Sequence, residues 1–542
     1  MKLKEILLKE LEKHDIERIF GVPGRESESI LFNENPNIEF ITTRVEFTAG
    51  IAAEVSGILT KRPQVCFATM GPGATNMTTA VASAMLNKSP LIFISSQLEA
   101  DDKCFNITHQ CVNQCEIMKP ITKWSYELIK PDEMVDVLDK AFDIALTEPV
   151  GPVHISIPTD FFNRNVSYDE NQSKKISSIK INTTEVNDEI IDLICRKIDD
   201  SYRPVCIVGQ EVIRLDQEKE VIEFITKLNI PFITVANAKG LLPFENPLNY
   251  GAASCYMEGI LRYDALDDIF STADLILCVG YQYVDDLLPK MWERGEEKEV
   301  IAISNTYYSE LNKKFNPNIF CIGNVSEILS KISSTCKPNE NLKNLINMKK
   351  AYGECLKESK KVSPASVINV INKNLKEGFL VTDIGYYRHH SIIFSNPDST
   401  LRFFTDTGIS SFGSGLPAAI AAKINNKAKR VFLLCGDGGF HSGSGDLATL
   451  IKYNLPVIII VLNNSAFRLI ENYQKRGHSG RKNNNIDLVR VDFAKLAEAN
   501  GCIGKKADSI KELEEIVDRY DDMSTLVIDV SFEYNDEFQV SF

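Results

Sequence analysis

The sequence has no run of about 18 apolar residues, the length a helix needs to cross a bilayer, so no membrane span is expected. It has no block of like charge. The formal net charge of −14 is spread along 542 residues, which argues against a nucleic-acid backbone or an anionic membrane as the main partner. No CxxC pair occurs, even in the closest grouping of Cys104, Cys111 and Cys115, so a structural zinc site is not indicated. The thirteen cysteines are odd in number, scattered, and mostly set in apolar runs such as Val65-Cys66-Phe67, as expected of reduced thiols in a cytoplasmic protein. No GxGxxG follows an early strand with an acid about 20 residues later, which argues against a nicotinamide dehydrogenase. Residues 1–16 interleave charged and apolar positions and read as an amphipathic helix, not a signal peptide.

With 44% hydrophobic and 25% charged residues, the chain has the composition of a soluble globular protein too long for one core. Short β-branched runs alternate with helical patterns in three segments, the signature of doubly wound parallel sheets. The expected fold is therefore α/β with three such domains, over residues 1–165, 186–332 and 359–542, joined by polar linkers. Strands are expected at Glu39, Gln64, Pro90 and Val153; at Val205, Phe232, Leu275, Ile301 and Ile319; and at Phe379, Arg430, Val457 and Thr525.

The chemistry concentrates in Val431-Phe-Leu-Leu-Cys-Gly-Asp-Gly-Gly-Phe440, a buried strand ending in a glycine-rich turn with one carboxylate. Gly436, Gly438 and Gly439 let backbone N–H groups approach phosphate oxygens, and Asp437 offers a hard oxygen to a divalent cation. A helix and a second strand then lead to Asn463-Asn464. That interval is one βα unit, so Asp437 and Asn464 should sit at the carboxyl ends of neighbouring strands, where open α/β sheets bind ligands.

This strand–GDGG–helix–strand–NN pattern resembles the thiamine-diphosphate (ThDP) signature of the pyruvate decarboxylase and acetolactate synthase superfamily. The resemblance implies Mg2+ held by Asp437, Asn464 and the carbonyl of Ala466, with Asp383, Gly385, Phe412, His441 and Phe467 also near the cofactor. It implies that Glu46, in Thr43-Arg-Val-Glu-Phe, faces the aminopyrimidine ring and drives its acid–base chemistry. Ala68-Thr-Met-Gly-Pro-Gly-Ala-Thr-Asn76 is similar to the superfamily's SGPG-type loop. Because Glu46 and Asp437 belong to different domains, the resemblance implies a homodimer or homotetramer with shared sites. FAD is neither expected nor excluded.

Within the superfamily, stretches such as Thr108-His-Gln-Cys-Val, Tyr256-Met-Glu-Gly-Ile-Leu and Asp383-Ile-Gly-Tyr-Tyr-Arg-His resemble carboxyethylarginine synthases. That likeness implies that glyceraldehyde 3-phosphate is joined to the amine of arginine, or of a related amino acid, with loss of phosphate. His109, Gln110 and His389 would then be catalytic, Arg388 would bind the phosphate, and Tyr256 and Asp286 would meet the amino acid. An acetolactate synthase-like carboligase or a 2-oxo acid decarboxylase is the alternative.

Overall fold

The computed structural model describes residues 1–25, 37–169, 175–176, 178–181, 185–254, 269–283, 287–292, 298–307, 315–340, 362–481 and 483–531. Three six-stranded sheets, each wholly parallel, follow one another along the chain. The first contains β1 (Arg18–Gly21), β2 (Glu39–Thr42), β3 (Gln64–Ala68), β4 (Leu91–Gln97), β5 (Trp124–Glu127) and β6 (Val153–Pro158), in the spatial order β2-β1-β3-β4-β6-β5. The second contains β7 (Pro204–Val208), β8 (Phe232–Thr234), β9 (Asn249–Ala252), β10 (Leu275–Val279), β11 (Glu299–Ser304) and β12 (Ile319–Ile322), ordered β12-β11-β10-β7-β8-β9. The third contains β13 (Phe379–Thr382), β14 (Phe403–Thr405), β15 (Val431–Gly436), β16 (Ile458–Asn463), β17 (Ile503–Ala507) and β18 (Leu526–Ser531), ordered β14-β13-β15-β16-β18-β17. The expected doubly wound α/β class is what the chain adopts.

Each central strand supplies two cores because successive side chains point to opposite faces. In β3, Val65 and Phe67 join an outer core with α1 (Leu3–Lys13) and α3 (Met134–Leu146). Cys66 and Ala68 face inward, toward α2 (Glu46–Thr60). In β15, Val431, Leu433 and Cys435 enter that same inner core, while Phe432 and Leu434 face the other side. The first and third sheets thus share one apolar core, with α2 packed on α4 (Gly415–Asn425) between them. Polar contacts close this joint: Arg44 N–H and Thr48 Oγ1 donate to Asp446 at 2.8 and 2.6 Å, and Asn425 Nδ2 donates to Ser56 Oγ at 2.8 Å.

The second sheet is tied to both neighbours. A buried Arg214–Glu148 pair (2.5 and 3.2 Å) fixes it to the first. Asn237 exchanges two hydrogen bonds with the backbone of Thr405 in the third. Among the described residues no helix is long and apolar enough to cross a membrane. All eleven described cysteines are free thiols, and most are buried.

Candidate active site

Sheet geometry places the two motif residues where the spacing implied. β15 and β16 pair in parallel, with Gly436 opposite Leu462, so Asp437 and Asn464 follow adjacent strand ends. One detail differs from the expected turn: Asp437 is already the first residue of helix α5 (Asp437–Gly443). In that first turn Gly438 N–H donates to Asp437 Oδ1, and the remaining amides have no i−4 acceptor within the helix.

The two asparagines divide the work. Asn463 points into the structure, where its Nδ2 donates to Val491 O and Asp529 Oδ1, each at 3.0 Å. Asn464, on the opposite face, lines a cavity of about 380 Å3 together with Gly385, Phe412, Gly436, Asp437, Gly438, Gly439, Ala466 and Phe467. Asp437 is buried; its Oδ1 accepts from Gly438 N–H at 2.8 Å, while Oδ2 has no hydrogen-bond partner. Burial raises its pKa, and the amides of Gly438, Ser465, Ala466 and Asn464 oppose that rise. Leaving a buried acceptor unmade costs about 1–3 kcal/mol, more when charged, which a cation on Oδ2 would offset.

The glycines here are demanded by close approach. A Cβ on Gly436 would come within 2.9 Å of the Tyr387 ring, one on Gly438 within 2.7 Å of Phe467, and one on Gly439 within 2.2 Å of Asp383 Oδ2. Phe412 and Phe467 meet edge to face, with centroids 6.2 Å apart, and both remain exposed at the rim. Tyr387, whose hydroxyl donates to Ile384 O at 3.1 Å, lies beneath Gly385 and Gly436 and was not anticipated. Its position one helical step after the Asp-Ile-Gly turn was the available signal.

A second group assembles at the carboxyl ends of β2, β3 and β4. Glu46 opens α2, and its Oε2 accepts from Asn76 Nδ2 at 3.0 Å. Gly73 lies beside it, and a Cβ there would sit 3.5 Å from Glu46 Oε1. Gly71 (φ +62°) leaves room for Gln110, whose Cβ would be 2.8 Å from a Cβ at Gly71. Gln110 and its neighbour His109 are exposed. None of these residues lines the Asp437 cavity within the chain.

Three family models match the chain, all describing a thiamine pyrophosphate enzyme: the N-terminal TPP binding domain over residues 1–117, the central domain over 191–332, and the C-terminal TPP binding domain over 383–530. The chain belongs to the thiamine pyrophosphate enzyme family. A probable acetolactate synthase large subunit of Methanocaldococcus jannaschii is 28% identical over 539 residues, spanning 96% of this chain and 89% of the relative. The acetolactate synthase of Bacillus subtilis is 24% identical, spanning 99% and 94%. An acetolactate synthase large subunit of Buchnera aphidicola is 26% identical, spanning 94% and 90%. This thiamine pyrophosphate (thiamine diphosphate) enzyme is therefore of the acetolactate synthase type.

The cavity suits that cofactor: an orphaned buried carboxylate oxygen, three strand-end glycines and an aromatic rim fit a diphosphate with its cation. Several other expected residues of this thiamine pyrophosphate enzyme stand elsewhere. Asp383 lies behind the cavity and accepts from the amides of Ile384, Gly413 and Gly415 at 2.8 to 3.2 Å, so its part is to position the loop bearing Phe412. Burial raises its carboxyl to about 6.

Arg388, expected at the mouth, is buried with Nε donating to Thr405 Oγ1 at 3.1 Å. His389 is buried, with Nδ1 2.7 Å from Ser254 Oγ, and burial first, then Arg388 and His390, push its pKa well down. Both lie on the helix Tyr386–Phe394, which turns this face into the protein, so neither lines the cavity. His441 is exposed at the far end of α5, edge-on to Phe493. Tyr256 and Asp286 lie outside the described residues.

Proposed function

We propose that this enzyme is a ThDP- and Mg2+-dependent carboligase that makes acetolactate from pyruvate. The single observation carrying the cofactor part of this reading is the buried Asp437 Oδ2, without a hydrogen-bond partner on the floor of a glycine-walled cavity. Asp437, Asn464 and the carbonyl of Ala466 would hold Mg2+, and the α5 amides would meet the diphosphate. When bound, ThDP supplies a carbon nucleophile. Phe412 and Phe467 would wall its ring and exclude water. Glu46, held through Oε2 by Asn76, would hold and return a proton at the aminopyrimidine. Gln110, beside Gly71, and the neighbouring His109 are both exposed and would face a substrate oxygen. The acetolactate part rests on the likeness to acetolactate synthases along nearly the whole chain.

The narrower reading, glyceraldehyde 3-phosphate joined to arginine, draws less support. It asks Arg388 for the phosphate and His389 for catalysis, and both side chains are buried away from the cavity. With ThDP and Mg2+ present, pyruvate should yield acetolactate and carbon dioxide. Phosphate release from glyceraldehyde 3-phosphate that depends on an added amino acid, with no acetolactate from pyruvate, would overturn the carboligase assignment.

A further inference from the structure

A second set of ligand-type side chains lies on the other face of the first sheet, between α1 and α3. Glu10 and His14, four residues apart, share one face of α1 and its capping turn, and that face rests on α3, which carries Asp139. Glu10 is wholly buried, His14 is 2% exposed, and the Asp139 side chain is 24% exposed. One ligand atom from each of Glu10, His14 and Asp139 lies within 4.8 Å of the other two, and His14 Nε2 is 3.4 Å from Asp139 Oδ1. Neither Glu10 Oε2 nor His14 Nε2 makes a hydrogen bond, although both atoms are buried. Two such groups facing each other are costly unless something joins them.

Their other atoms are already committed. Glu10 Oε1 accepts from the Tyr168 hydroxyl at 2.7 Å. His14 Nδ1 lies 3.3 Å from both the carbonyl oxygen and the amide nitrogen of Ile176, and the ring stacks on Phe142 at 3.9 Å and 11°. In the tautomer that donates from Nδ1 to the Ile176 carbonyl, Nε2 presents its lone pair, the arrangement seen behind metal-bound histidines; in the other, Nδ1 accepts from the Ile176 amide and Nε2–H points to Asp139.

We propose that Glu10, His14 and Asp139 form a site for a divalent transition metal of the zinc class that clamps α1 to α3. One nitrogen and two carboxylate oxygens are the donor set of such borderline cations. Donors around a tetrahedral ion at about 2.1 Å stand roughly 3.4 Å apart, so only a small inward movement is needed. The partly exposed Asp139 marks the entry side, and the cluster lies across the first sheet from α2, the helix that Glu46 opens.

The full-length protein, freed of metal by chelation and then saturated with ThDP and Mg2+, should be titrated with Zn2+ by calorimetry and followed by thermal melting. One equivalent is expected to bind and to raise Tm by a few degrees. In Glu10→Gln that equivalent should bind at least about tenfold more weakly and the rise should vanish. Asp139→Asn, at the part-exposed edge, serves if Glu10→Gln fails to fold. Equal zinc binding and equal melting shifts in wild type and in either variant, or no zinc binding by wild type, would overturn the site and leave three acids and bases sharing protons.

Discussion

Asp383, at the third sheet, and Glu46, at the first, are carboxylates in unlike surroundings. Asp383 is surrounded by backbone amides, which hold a carboxylate in place without leaving it free to bind. Its folded pKa of about 6, against 3.8 ordinarily, means that the folded protein binds this proton more tightly. The resulting stabilisation is complete below about pH 3.8 and is lost as pH rises through 6, a gap worth roughly 3 kcal/mol. Asp383→Asn removes that titration, so the stability of wild type relative to the variant should fall by up to about 3 kcal/mol between pH 4 and 7 in chemical denaturation. A pH-independent difference would show that the loop does not desolvate this group. Glu46 is different: it is half-buried and held by the single side-chain amide of Asn76, and in the proposed reaction it exchanges a proton. Glu46→Gln should cut acetolactate formation by about 10²- to 10⁴-fold while Tm stays within a degree or so.

At the scale of elements, the strand-end glycines separate two kinds of crowding. A methyl at Gly439 would press on a buried carboxylate backed by the amides of Gly413 and Gly415, whereas one at Gly438 would press on a rim aromatic free to swing outward. Gly439→Ala should therefore lower Tm by several degrees, and Gly438→Ala should leave Tm nearly unchanged but weaken ThDP binding about tenfold or more, read by cofactor titration. These glycines were legible in the sequence because a βα unit fixes where its strand ends fall. The central strands were legible too, since burial on both faces writes a continuous apolar run such as Ile458–Leu462. The strands that escaped are β1, β5, β9, β14 and β17. Four of these are sheet edges, where one flank lacks a partner strand and short or polar sequences such as Ile-Gly-Lys-Lys-Ala suffice. The burial of Arg388 and His389 was not legible for another reason: a basic pair at a helix start looks exposed until the packing of that helix on the second and third sheets is known.

For the whole molecule, the two halves of the chemistry lie apart within one chain. Glu46 is absent from the Asp437 cavity, although the first and third sheets share a core through α2 and α4. Beside each half stand exposed apolar side chains, Val45 next to Glu46, and Phe412, Phe467 and Ile470 at the cavity rim. Such surfaces are expected to be covered. A two-fold dimer would cover both at once, laying Glu46 of one copy against Asp437 of the other and making two equivalent sites. That arrangement has a stoichiometric consequence. In a mixed dimer of Glu46→Gln and Asp437→Asn chains, one site carries both changes and the other carries neither. Random assembly makes half the dimers mixed, so co-expressing two nearly inactive variants should recover about one quarter of wild-type activity. The double variant alone should recover none. If each chain completed its own site, co-expression would give no more than the two variants measured separately, and the shared-site arrangement would be wrong.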